Sequence, residues 1–177
     1  MTTSQGLALA LAFDFPAEGG EVNNPADHGG PTNFGITQRT WGAYCAAMGL
    51  PLSSVDDITR DEAAAVYQWG YWGPGHCEEL PLKLGICHFD WCVNHGVVGA
   101  AITLQAALGV AQDGVVGPLT LAAAARCAVW PTVTKYLALR EDWYRRDVAR
   151  NPSQQVFLDG WLNRIDNLLD YLEALDG

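Results

Sequence analysis

The constraint that most narrows the fold is a succession of helix-forming segments, each closed by its own cap or stop. Helix signals begin at Ser4 and reach about Phe15, where Pro16 removes a backbone donor. "TQRTWGAYCAAMGL" runs as helix to Gly49, with Pro51 beyond it. Thr59 and Glu62 stand at capping-box spacing, so "TRDEAAAVYQWGYW" opens another helix. "LPLKLGICHFDWCVNHG" reads as a largely buried helix ending at Gly96, and "VGAAITLQAALG" as a short amphipathic one stopped by Gly109. Pro118 takes the favoured first position of "GPLTLAAAARCA". Pro131 is expected to open "PTVTKYLALREDWYRRDVAR", and "LDGWLNRIDNLLDYLEAL" closes the chain. Strand-like alternation is absent, save for a short hairpin expected between Glu21 and Ile36. The expected fold is therefore all-α dominated, α+β at most.

A chain of 177 residues suits one domain, or one domain with two lobes. The weakest point is Tyr71–Leu80, so lobes over 1–75 and 76–177, packed as one globular unit, are expected. An apolar content of 49% against 17% charged residues argues for a core and against disorder. The net charge of −10 argues against nucleic acid or an anionic membrane as a partner, since both need clustered Lys and Arg. The apolar run "GLALALAF" is too short to span a bilayer, and no basic residue precedes it as in a secretory signal. Synthesis in the cytoplasm, no stable membrane insertion and a monomeric state are the expectations.

Cys45, Cys77, Cys87, Cys92 and Cys127 are odd in number and cannot all pair within one chain. Cys77, Cys87, His88, Cys92 and His95 raise the question of zinc. Yet no C-x2-C or H-x3-H pair is present, and on a helix Cys87 and His88 face different directions. Buried structural thiols are the expectation, with no metal and no cofactor.

One stretch departs from the helical pattern: "AEGGEVNNPADHGGPTNFGIT", Ala17–Thr37, dense in Gly, Pro and Asn. A turn-rich segment of this length inside a compact chain is functional or disordered. It opens with Glu18 between a helix end and two glycines, and returns through Asp27. Two carboxylates across one cleft suit glycoside hydrolysis: a protonated acid at the leaving oxygen and a base or nucleophile opposite. Burial near Phe15 would raise the acid's pKa.

The string "EGGEVNNPADHGGPTNFGIT" resembles the signature of glycoside hydrolase family 108, the bacterial and phage N-acetylmuramidases. "ITRDEAAAVYQWGYWGP" and "ELPLKLGICHFDWCVNHG" resemble further family segments, and "LQAALGVAQDGVVGPLTLAAA" resembles the peptidoglycan-binding pattern in the second half of such proteins. The resemblance covers about residues 7 to 125. It implies a lysozyme-like catalytic lobe with the hairpin near its active site. Glu18 matches the family's catalytic glutamate, which protonates the glycosidic oxygen, and Asp27 matches its loop aspartate. In the related phage pattern a Thr follows that aspartate after five residues; here Thr32 comes after four and Asn33 stands fifth, so either could position water. Glu21 replaces a usual aromatic residue and is expected to face solvent.

Tyr71 and Trp72 form a candidate sugar-stacking platform, with core packing the equal alternative. Asn94 is a candidate cleft hydrogen-bonder or a helix-ending residue. His28 and His95 lack a nucleophile motif nearby, and "GVAQDGVVGPLT" is either a carbohydrate surface or a turn ahead of a Pro-initiated helix. The resemblance implies an endolysin-type muramidase with peptidoglycan as partner. Its alternatives are a lytic transglycosylase and a non-catalytic peptidoglycan-binding protein.

Overall fold

A computed structural model describes residues 4–15 and 32–175. The chain divides into two compact units, Met1–Pro74 and Gly75–Gly177. Among the described residues, helices dominate and the sheet has two strands. No helix there is long and apolar enough to cross a membrane.

In the first unit, α1 (Gln5–Asp14) starts where the Ser4 hydroxyl accepts from Leu7 N–H, and it buries Leu7, Ala10 and Leu11. The strands β1 (Thr32–Asn33) and β2 (Ile36–Thr37) pair antiparallel, Thr32 opposite Thr37 and Asn33 opposite Ile36. Their two-residue loop, Phe34-Gly35, has φ of 52° and 73°, the left-handed pair that matches the twist of a tight hairpin. Of the hairpin expected between Glu21 and Ile36, the described residues show the part from Thr32 onward; Glu21–Pro31 lies outside them. Thr37 then caps α2 (Gln38–Met48), which ends at Gly49. A 3-10 turn (Val55–Asp57) leads to α3 (Arg60–Tyr67), where Thr59 and Glu62 form the expected capping box. The helix continues as a π-helical turn, Gln68–Trp72.

The second unit opens with a 3-10 turn (Cys77–Glu79) and is centred on α4 (Leu82–His95). Nine consecutive residues of α4, Leu84 to Cys92, are buried. A helix covered all round must be enclosed by neighbours; here α5 (Val97–Leu108), α7 (Val129–Arg150) and the 3-10 turn pack on it. Gly85 permits the approach of the 3-10 turn, because a Cβ there would lie 2.5 Å from the Cys77 carbonyl oxygen. Between α5 and α7 runs α6 (Pro118–Ala124), with Pro118 in its first turn. A further 3-10 turn (Pro152–Gln154) precedes α8 (Gln155–Ala174), which packs on α7.

Two helix starts correct the sequence reading. α7 begins at Val129, so Pro131 is its third residue, where the missing N–H is still one of the unbonded first-turn donors. α8 begins at Gln155, three residues before the expected Leu158.

Candidate active site

Glu18 and Asp27 lie outside the described residues, and so do Glu21 and His28. The residues that flank their segment are described, and they meet. Phe15, directly after α1, is 4% exposed, and its ring lies 5.5 Å from the Phe34 ring in the hairpin loop. Tyr67 of α3 joins the two: its ring is edge-on to Phe15 at 5.3 Å, and its hydroxyl donates to the Phe34 carbonyl at 2.9 Å. Gly35 leaves room for that hydroxyl, since a Cβ would sit 3.0 Å from it. The Arg60 guanidinium lies 5.4 Å from the centre of the Phe15 ring. The chain therefore enters the Gly- and Pro-rich segment at one side of a small aromatic clasp and leaves it at the other.

The hairpin is also tied from below. Asn33 Nδ2 faces the carbonyls of Val55, Asp56 and Ile58 at 3.2, 3.1 and 3.4 Å. Gln38 extends the stitching, donating to Ser53 O at 3.0 Å and accepting from Val55 N at 2.7 Å. These bonds commit the Asn33 amide to structure. Thr32, one residue earlier on the same strand, points to the opposite face of the ribbon and is half-buried.

The aromatic pair after α3 divides. Trp72 is 2% exposed, so its ring is core and offers no stacking face. Tyr71 is half-buried, 5.7 Å from the Tyr67 ring, and so stands next to the clasp. Asn94 belongs to the second unit, where its exposed side chain donates to the Asp90 carbonyl at 2.7 Å, one turn back along α4.

Among the described residues, three carboxylates have clearly shifted pKa values, and all move down. Backbone and hydroxyl bonds from Thr59 lower Glu62. Asp113 is lowered by Gln105 and by the Val115 N–H. For Asp90, burial opposes ionisation but the Arg140 and Arg164 guanidiniums outweigh it. None of the three suits a group that must arrive protonated at a leaving oxygen.

Asp90 is the residue that sequence reasoning missed. It accepts from Arg140 Nη2 of α7 at 2.5 Å and from Arg164 Nε of α8 at 2.8 Å, locking three helices together. Arg140 also sits 4.7 Å from the centre of the Trp91 ring, and Trp91 stacks on His95 at 4.4 Å. Burial and the nearby Arg140 lower the pKa of His95, whose ring lies 4.1 Å from that of Trp143. Trp91 is fully buried, whereas Trp143 and Trp161 are half-buried. Cys87 is buried and pushed up to about 12. Beside it, the Sγ atoms of Cys77 and Cys92 and a ring nitrogen of His88 all lie within 4.8 Å of one another.

The Asp113-Gly114 turn ahead of Pro118 is present and is fixed by the buried Gln105. Its Nε2 donates to Asp113 Oδ1 at 2.6 Å and to Val115 O at 3.0 Å, while its Oε1 accepts from Gly114 N at 2.9 Å. Val98 and Val115, both 64% exposed, surround this turn.

Comparison with known proteins bears on both parts of the chain. The family profile described as Glycosyl hydrolase 108 matches residues 12–96, and the one described as Predicted Peptidoglycan domain matches residues 99–166. Among solved structures, that of Brucella abortus SagA is similar, with 30% sequence identity and a TM-score of 0.77, over 95% of this chain and 94% of that one. No curated protein matches.

Proposed function

Because this chain belongs to the glycosyl hydrolase 108 family, we propose that it hydrolyses the β-1,4 bond between N-acetylmuramic acid and N-acetylglucosamine, with Glu18 as general acid. It is a glycoside hydrolase with a lysozyme-like, helix-dominated fold, and its second part is a peptidoglycan domain.

The observation that carries the reading is the clasp of Phe15, Phe34 and Tyr67. Glu18 follows Phe15 by three residues and Asp27 precedes Phe34 by seven, so in sequence both carboxylates lie close to residues that are in mutual contact. Holding both ends of a reactive segment removes conformational freedom that the transition state would otherwise have to remove.

In this mechanism Glu18 gives its proton to the glycosidic oxygen as the bond to the anomeric carbon breaks. Asp27 acts as the second carboxylate, either drawing the proton from the water that attacks that carbon or serving as the nucleophile that this water then displaces. Thr32 holds this water with its hydroxyl, and Asn33 serves as the tie beneath it. Tyr71 offers its ring to the apolar face of a pyranose. The setting we propose is an endolysin that reaches the wall after a separate protein has permeabilised the membrane.

The test is digestion of purified peptidoglycan by the wild type and Glu18→Gln, with the soluble fragments identified by mass spectrometry. Reducing muropeptides from the wild type and none from the variant are expected. Anhydro-muramic products would replace hydrolysis with transglycosylation. Equal release by both proteins would remove Glu18 from the mechanism.

A further inference from the structure

We propose that Cys77, His88 and Cys92 form a structural zinc site that fastens the 3-10 turn Cys77–Glu79 to α4. The sequence suggested structural thiols, because no tight pair of metal-ligand motifs is present. The fold supplies the missing proximity. His88 and Cys92 are one helical turn apart and so share a face of α4, while the close approach at Gly85 sets Cys77 against that face. Cys87, adjacent to His88, takes no part in the cluster.

The surroundings of His88 accommodate a metal-ligating tautomer. Tyr136 Oη lies 3.0 Å from His88 Nδ1 and 3.3 Å from the Ala100 carbonyl, so with its proton on that carbonyl it accepts from Nδ1–H. His88 Nε2 faces Cys92 Sγ at 3.6 Å, and in this tautomer it is the nitrogen that would bind the ion. A metal-ligating histidine is usually oriented by just such a bond on its other nitrogen. The separation fits as well: with Zn–S of about 2.3 Å and Zn–N of about 2.0–2.1 Å, tetrahedral geometry puts S and N about 3.5–3.6 Å apart.

Thiolates with an imidazole select soft or borderline metals over magnesium or calcium. Two thiolates and a neutral imidazole carry two negative charges, which a divalent ion cancels; in a site whose three residues are at most 1% exposed, that neutrality matters. The cluster supplies three of the four donors of a tetrahedral site. Such burial means that the ion enters as the unit folds, so metal binding and folding are coupled.

The experiment uses the full chain, expressed in zinc-supplemented medium and purified with reductant but no chelator. Elemental analysis should give one zinc per chain. Refolding with cobalt alone should give the intense thiolate-to-cobalt absorption of a sulfur-ligated site. Both signals should vanish in Cys77→Ser and Cys92→Ser and persist in Cys127→Ser, whose thiol lies elsewhere in the unit. Should the two variants fail to fold, the wild-type stoichiometry and cobalt spectrum decide alone. Folded, metal-free wild-type protein would overturn the proposal, as would a Cys77–Cys92 disulfide found by peptide mapping, monovalent copper in place of zinc, or undiminished zinc in Cys77→Ser. None of these readouts depends on hydrolytic activity.

Discussion

Replacing Asp90 by Asn should unfold the second unit far more readily than replacing its partly exposed partner Arg164. The carboxylate spans two arginines of unequal exposure: the Arg140 side chain is 0% exposed and that of Arg164 is 32% exposed. In Asp90→Asn the Arg140 guanidinium stays charged and enclosed without its counterion. Breaking a buried pair in this way costs about 3–5 kcal/mol. Arg164 is one-third exposed, and its removal leaves Asp90 with Arg140 as counterion, so Arg164→Gln should cost less, about 1 kcal/mol at most. With a urea m-value of about 2 kcal/mol/M, Asp90→Asn lowers the midpoint by roughly 2 M and Arg164→Gln by under about 0.5 M. Tryptophan fluorescence follows the transition, because Trp91 and Trp143 lie in the cluster around Arg140. The pH dependence supplies a second check. Asp90 is depressed on folding, so its contribution is fully present above the unfolded carboxyl value of about 3.9 and is lost as pH falls through the lower folded value. The gap between wild type and Asp90→Asn should hold steady from pH 7 down to about 4 and close below it. A cost under about 1 kcal/mol for Asp90→Asn, or an equal cost for Arg164→Gln, would refute the assignment of the stabilisation to the Arg140 arm.

Two further outcomes concern the hairpin and the second-unit turn. Gly35→Ala meets both a left-handed φ of 73° and the Tyr67 hydroxyl, so it should cost about 1–2 kcal/mol and depress peptidoglycan hydrolysis; thermal denaturation with a muropeptide-release assay measures both, and an unchanged Tm would count against the clasp. Gln105→Ala frees the Asp113-Gly114 turn and should weaken sedimentation with insoluble peptidoglycan; retained cosedimentation would show that the turn takes no part in binding.

Much of the fold was legible because helix boundaries here are written in side chains. Ser4, Thr37 and Thr59 cap the helices they precede, and Gly49 and Gly109 follow the helices they end. Pro131 was less informative: proline is tolerated throughout a first turn, so it marks a helix start only to within a turn. The candidate site was legible in its motif but not in its support. Nothing local relates Tyr67 to Phe34, and Trp72 shows its burial only once the unit is packed. Asp90 was hidden for the same reason, since its partners lie 50 and 74 residues away. The i, i+4 spacing of His88 and Cys92 was in plain view, but Cys77 joins them only through the contact that Gly85 allows.

The enclosure of α4 has a consequence for how such a protein can be recombined. The glycosyl hydrolase match ends at residue 96 and the peptidoglycan match begins at 99, so sequence comparison suggests two exchangeable cassettes joined between α4 and α5. Yet α4 is the centre of the second unit, wrapped by helices that belong to the other cassette. A chimaera cut at that junction would give α4 foreign neighbours around nine buried positions, with Arg140 and Arg164 no longer there to meet Asp90. Shuffling should therefore transmit the helices from α4 to α8 as one heritable block, with crossovers tolerated near Pro74 and Gly75 and punished near Gly96.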